Sequence, residues 1–244
     1  MEYTINIKGR LMDLSTPQVM GILNVTPDSF YSGSRKQTEM EIAQRANQII
    51  EEGGSIIDVG AFSTRPGADE VSEEEEGRRL KFALDIVRRE QPDAAVSVDT
   101  YRPTLARKCI EEWGADIIND VSEGGITGIV NVPLEQRQEE YPEMFRVVGE
   151  LKVPYILMSV QPTLETMMKG FAKEVQQLRD LGAKDIILDP GFCFGKNLIQ
   201  NYQIYNEMEK LNVMELPVLV GISRKTMIYK LLGGDATTSL NGTS

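Results

Sequence analysis

Residues 95–120 read AVSVDTYRPTLARKCIEEWGADIIND. The stretch opens on a short apolar run, Ala95-Val-Ser-Val98, and closes on another, Asp116-Ile-Ile118. Between them Ala106, Cys109, Ile110 and Trp113 recur at i, i+3, i+4 and i+7, the spacing of an amphipathic helix. Short β-branched runs of this kind suit strands of a parallel sheet buried on both faces, and a helix between two of them makes a βαβ unit. The alternation continues outward in both directions. Apolar runs stand at Val19–Leu23, Ser55–Ile57, Tyr155–Met158, Asp185–Leu188 and Pro217–Gly221. Helical faces stand at Ile42, Ala46, Ile49 and Ile50; at Leu80, Ala83, Leu84 and Val87; at Met144, Val147, Val148 and Leu151; at Phe171, Val175 and Leu178; and at Ile204, Met208 and Leu211. Strand starts recur about every 33 residues, from near residue 18 to near residue 218, and an eighth would begin past Ser244. The pattern predicts one α/β domain over residues 1–244, with seven βα units. Residues 1–17 read as a short strand or hairpin that plugs the bottom of the sheet. Periodicity alone leaves a barrel and an open doubly wound sheet both standing.

Composition narrows the chemistry. The chain has 244 residues, 41% of them hydrophobic and 26% charged, an ordinary globular balance. A net charge of −11 with no local basic stripe excludes nucleic acid as a partner. The absence of apolar runs long enough to span a bilayer, and of a leader pattern at the N-terminus, leads us to expect a cytoplasmic protein. Two cysteines, Cys109 and Cys193, provide neither a disulfide framework nor a zinc cluster. There is no histidine, so Ser-His-Asp and Cys-His nucleophiles, HExxH metal sites and imidazole acid–base work are excluded. Catalysis must rest on carboxylates, amides, Lys, Arg, hydroxyls or a hard metal held by oxygen. The acidic run Glu73–Glu76 reads as a solvated first helical turn, favoured by the helix dipole.

In a parallel α/β sheet, ligands bind at the C-terminal ends of the strands. Five of the seven runs end there in Asp or Asn: Asn24, Asp58, Asp99, Asn119-Asp120 and Asp189. Any one of them is equally well a helix N-cap. Together they favour a site in which carboxylates and amides grip the donor and acceptor edge of a flat heterocycle. The loop Ser63–Gly67 has the irregular backbone that turns N–H groups toward a phosphate. Lys225 follows a strand end directly, where its ammonium would meet developing negative charge or a ring carbonyl; the alternative is an ordinary solvated lysine. Phe192 and Phe194 are either core plugs or an aromatic wall for a flat ligand.

Taken together, six strings resemble the dihydropteroate synthase family. They are residues 20–30 (MGILNVTPDSF), 54–60 (GSIIDVG) with 63–67 (STRPG), 97–100 (SVDT), 118–120 (IND), 189–196 (DPGFCFGK) and 221–225 (GISRK). The resemblance implies a TIM (β/α)8-type barrel and settles the choice that periodicity leaves open. It implies condensation of dihydropterin pyrophosphate with p-aminobenzoate to dihydropteroate and pyrophosphate, with Mg2+. By resemblance, Asp99, Asn119, Asp189 and Lys225 form the pterin pocket, and Asn24 holds the metal. Thr64 lies beside the pterin pyrophosphate, and Arg65, Pro66, Phe194, Lys225 and Thr26 face p-aminobenzoate. Lys225, Asp99 and Asp189 are the candidate catalytic residues. Sulfonamides, which imitate p-aminobenzoate, are implied as inhibitors, and a homodimer is implied for the full-length form.

The chain also departs from the family pattern. The family's last strand carries an Arg-x-His motif that binds pyrophosphate, and residues 1–244 do not include it. We therefore expect a barrel lacking its last βα unit, with an open seam, lower stability and impaired pyrophosphate binding. The alternative function is a pterin-binding module without catalysis. Cys193 stands where the family has Gly, which puts the backbone freedom of its loop in question. Ser159 stands where the family often has His, and Ser122–Pro142 is longer than the usual connection.

Overall fold

A computed structural model describes residues 3–25, 35–62, 71–124 and 141–243. The chain opens with a hairpin, β1 (Thr4–Ile7) and β2 (Arg10–Asp13), paired antiparallel. Its two-residue loop, Lys8-Gly9, has both φ angles positive (49° and 83°), the twist that matches a hairpin. There follow β3 (Met20–Asn24), α1 (Arg35–Glu51), β4 (Ile56–Gly60), α2 (Glu73–Glu90), β5 (Ala95–Asp99) and α3 (Pro103–Glu111). The second half runs β6 (Ile117–Asp120), α4 (Glu143–Leu151), β7 (Tyr155–Met158), α5 (Leu164–Asp180), β8 (Ile186–Asp189), α6 (Leu198–Glu207) and α7 (Thr226–Leu232). Strands β3 to β8 pair in sequence order, all parallel, in one six-stranded sheet.

The expected seventh strand is reduced to a single parallel bridge between Leu188 and Val218. Two backbone hydrogen bonds carry it, Leu188 N–H to Pro217 O and Leu219 N–H to Leu188 O, both 2.9 Å or less. Pro217 has no N–H to offer, and Val220 beyond it is 40% exposed, so the run lacks both a full set of donors and cover on its far side. Among the described residues the sheet does not close into a barrel. At its other edge, Val19 and Ile22 are 60% and 57% exposed.

Each strand puts alternate side chains on opposite faces. On the outer face, Ile57, Val59, Val96 and Val98 pack with Leu80, Ala83, Leu84 and Val87 of α2; Ile118, Tyr155, Leu157, Ile186 and Leu188 pack with Phe145, Phe171 and Leu178 of α4 and α5. The inner face starts with Ile56, Ala95, Ile117, Ile156 and Ile187, sealed from below by Ile5 and Ile7 of the hairpin. The hairpin lies beneath this layer. It is pinned from outside by Lys8, whose ammonium donates to the Gly114 carbonyl (3.1 Å) and pairs with the buried Asp116 (2.8 Å).

The helix starts settle one of the alternatives left by the sequence. Ser72 caps α2, Thr163 caps α5, and Asn197 with Gln200 forms a capping box on α6. Arg102 and Pro142 stand at the N-caps of α3 and α4, so Asp99, Asn119 and Asp189 cap none of the helices that follow their strands. The acidic run does begin α2, but Glu76 is not solvated. It is fully buried and accepts from the Thr100 hydroxyl (2.7 Å) and Arg102 Nε (2.8 Å), because the fourth residue of the helix turns back toward the sheet.

Candidate active site

Counting on from the apolar inner layer, the next inward positions are Asp58 on β4, Ser97 on β5, Asn119 on β6, Met158 on β7 and Asp189 on β8. Above them stand Gly60 and Asp99, paired in register. The pleat therefore puts the polar strand ends on the inner face, at the C-terminal ends of the strands. Its rule also removes one candidate. Asp120 follows Asn119, so it faces outward, where it accepts from the Tyr155 hydroxyl (2.7 Å), the Ser122 hydroxyl (2.6 Å) and the N–H groups of Ser122 and Gly124. Its role is to fix the turn after β6.

Asn24, Asp58, Asp99 and Asn119 form one group, on β3 to β6. Gly60 lies between Asn24 and Asp99; a Cβ there would sit 2.9 Å from Asn24 Oδ1 and 3.4 Å from Asp99 Oδ2. Glycine thus keeps a cradle open between an amide oxygen and a carboxylate. Asn119 Nδ2 donates to Asp58 Oδ2 at 3.1 Å. Three acceptors here are buried with no protein partner: Asp58 Oδ1, Asp99 Oδ1 and Asn119 Oδ1. Burial raises the carboxyl of Asp99 well above the usual range, and the charges of Asp58, Glu76 and Asp120 push it further. Burial also raises Asp58, against the nearby Ser97 hydroxyl and the Asn119 amide.

The second group lies beyond Met158 of β7. Asp189 Oδ1 accepts from the Gly191 N–H (2.7 Å). Burial raises its carboxyl, and the ammonium groups of Lys225 and Lys196 act against that rise. Lys225 donates to the Phe192 carbonyl (2.9 Å) and lies 4.9 Å from the centre of the Phe194 ring. Burial lowers its pKa, while Asp189 acts to raise it. Of the two candidate wall residues, Phe192 is a core plug, fully buried against Tyr205, and Phe194 is the half-buried one at the mouth, beside Met158, Val160 and Phe62.

The loop that carries Phe194 is held by residues that the strand-end pattern did not single out. Lys196 donates to the carbonyls of Ser159, Gly191 and Phe194 at 2.8, 3.0 and 3.1 Å, and burial lowers its pKa to about 8. Glu123 accepts from the Val160 N–H (2.8 Å). Gly191 has φ 61°, and a Cβ on it would lie 2.3 Å from the Ser159 carbonyl oxygen, so only glycine fits. Cys193 is held at φ 69°, a left-handed conformation, with its N–H donating to Asn201 Oδ1 (2.7 Å). A side chain in that conformation is held there as backbone strain.

Thr26, Thr64, Arg65 and Pro66 lie outside the described residues, as does most of Ser122–Pro142. Among the described residues no three His, Cys, Asp or Glu side chains come together as a metal centre. The hard amide oxygen of Asn24, beside the cradle over Gly60, fits an ion such as Mg2+, which takes few protein ligands and completes its shell with water and phosphate oxygens.

The family model for pterin-binding enzymes matches residues 20–242. The dihydropteroate synthase of Escherichia coli K12 is 36% identical over 96% of this chain and 83% of its own length. Among solved structures, that of Xanthomonas albilineans dihydropteroate synthase with 4-aminobenzoic acid superposes with a TM-score of 0.85 at 30% identity, covering 99% of this chain and 86% of the other. That of Yersinia pestis dihydropteroate synthase in a sulfonamide drug complex gives 0.81 at 33% identity, covering 99% and 87%. With inward acids and amides on successive strands of a TIM-barrel sheet, and with these likenesses over nearly its whole length, the chain belongs to the pterin-binding enzyme family, among its dihydropteroate synthases.

Proposed function

We propose that the chain joins 6-hydroxymethyl-7,8-dihydropterin pyrophosphate to p-aminobenzoate, giving dihydropteroate and pyrophosphate in folate biosynthesis. The observation that carries this reading is the pair of buried acceptors without protein partners, Asp99 Oδ1 and Asn119 Oδ1, on paired positions of β5 and β6. Such groups call for a donor-rich ligand, and the N–H edge of an aminopyrimidinone ring is one. Asp99 and Asn119 take that edge, with Asp189 and Lys225 across the mouth.

The C–O bond between the pterin methylene and pyrophosphate breaks, and its electron pair leaves with the pyrophosphate. The remaining cation spreads into the ring, where the carboxylates of Asp99 and Asp189 favour it. The neutral amine of p-aminobenzoate then forms the C–N bond and gives up one proton to solvent or to the departing anion. No histidine is needed, because the attacking amine is already unprotonated. Lys225, between Asp189 and the Phe194 ring, stands where the pterin and amine sides meet. Bound at Asn24, Mg2+ would offset the charge of the leaving group. Thr64 belongs on the pyrophosphate side; Thr26, Arg65, Pro66 and Phe194 belong on the p-aminobenzoate side, where a sulfonamide would compete. The same reading carries a homodimer and a cytoplasmic location. Among the described residues no helix is long and apolar enough to cross a membrane.

The test is pyrophosphate release from the purified chain with both substrates and Mg2+. Release that depends on p-aminobenzoate supports the reading. Pterin binding with no release under any of these conditions overturns catalysis.

A further inference from the structure

Asp58 stands on the inner face of β4, in register with Ile22 on one side and Ser97 on the other, and has no role in the assignment above. Its Oδ2 accepts from Asn119 Nδ2 at 3.1 Å across β5. A carboxylate accepts hydrogen bonds and does not donate them, whereas a primary amide has one end of each kind. Turning the Asn119 amide over would set its oxygen against a carboxylate oxygen, acceptor against acceptor, inside the sheet. The remaining end of Asn119 is Oδ1, buried and without a protein partner.

We infer that Asp58 is a positioning residue that locks the Asn119 amide with its oxygen toward the ligand, so that this part of the pocket accepts an N–H and rejects a ring carbonyl. The inference rests on the pterin reading, and it adds a direction to one contact of that pocket. Asp58 selects the ligand through Asn119 and need not touch it.

The test uses steady-state kinetics on the purified chain with dihydropterin pyrophosphate and p-aminobenzoate. In the wild type, turnover establishes the reaction independently of Asp58; its absence would count against the proposed function and not against this pairing, which would then be read from binding of 6-hydroxymethylpterin. Asp58→Asn puts an amide where the carboxylate was, and Asn119 is free to turn. The expected result is a rise of about tenfold in KM for the pterin substrate, with KM for p-aminobenzoate unchanged. The exchange variant Asp58→Asn/Asn119→Asp restores a fixed donor–acceptor pair with the acceptor facing the ligand. It should return the pterin KM to within about threefold of wild type. An unchanged pterin KM in D58N, an equal rise for both substrates, or no recovery in the folded exchange variant overturns the inference. Should D58N not fold, the wild type decides. The Asn119 side-chain amide protons, identified by their loss in Asn119→Asp, should be protected from exchange with and without pterin; protection that appears only with pterin overturns the inference.

Discussion

The two ends of the sheet's inner face are built from the same strands, two residues apart, and do opposite things. At the bottom, Ile56, Ala95, Ile117, Ile156 and Ile187 meet Ile5 and Ile7, and the layer is apolar and sealed. One pleat higher stand Asp58, Asn119 and Asp189, with Asp99 above; Asp58, Asp99 and Asn119 each keep an unmatched acceptor, and burial raises the carboxyl groups of Asp58, Asp99 and Asp189. The lower layer gains stability from covered area; the upper gives some of it up by burying charge that protein atoms do not fully offset. Apolar packing and unmatched polar groups are thus separated by height along the strands.

Substitutions at the two levels should divide accordingly. The largest effect is expected at the mouth. Lys225→Ala should lower turnover by about a hundredfold or more while hardly moving the melting temperature. Pyrophosphate release and thermal unfolding of the same sample check both halves, and wild-type turnover would remove Lys225 from the site. At the bottom, Ile5→Ala should cost about 2–5 kcal/mol of stability by leaving a void under the sheet. Denaturant titration reads the loss, and KM for both substrates should not change.

Asp99→Asn tests whether the upper level trades stability for binding. Pterin affinity should fall by about 1–3 kcal/mol, read by titration calorimetry. The stability effect should have the opposite sign. The folded carboxyl of Asp99 is raised well above its ordinary 3.8, so its contribution to stability is complete below that pH and is lost as pH rises through the higher value. The neutral amide has no such loss, so the variant should gain on the wild type as the pH climbs from 4 toward neutrality. A parallel pair of stability–pH curves would show that burial at Asp99 carries no such cost. The smallest effect is expected at Cys193→Gly, which relieves a left-handed residue and should raise stability by about 1 kcal/mol, seen as a higher denaturation midpoint.

Much of this division was legible in the chain. The apolar runs placed β3 to β8, the helical spacings placed the outer layer, and the polar strand ends marked the mouth. What the runs could not show was parity at their ends. Asn119 and Asp120 are adjacent in one string, yet one lies on the inner face against Asp58 and the other ties down a turn. Asp58 was visible in the strand-end pattern, but its partner is 61 residues away and only the register brings them together. Glu76 looked solvated because its neighbours are. Lys196 ended a motif, and nothing in that motif says that its ammonium will close on three carbonyls. The seventh run has strand composition but one bridge, since a strand is made as much by its neighbours as by its residues.

The hairpin that seals the bottom has a consequence for the order of folding. Its residues are near the start of the chain, but the groups that hold it are distant in sequence: the Lys8 ammonium reaches a carbonyl 106 residues on. Closing so long a loop is favourable only once the strands above have assembled, so the hairpin is among the last elements to dock. Loosening it with Ile5→Ala should therefore speed unfolding and leave the folding rate nearly untouched, which the two arms of a chevron plot would reveal.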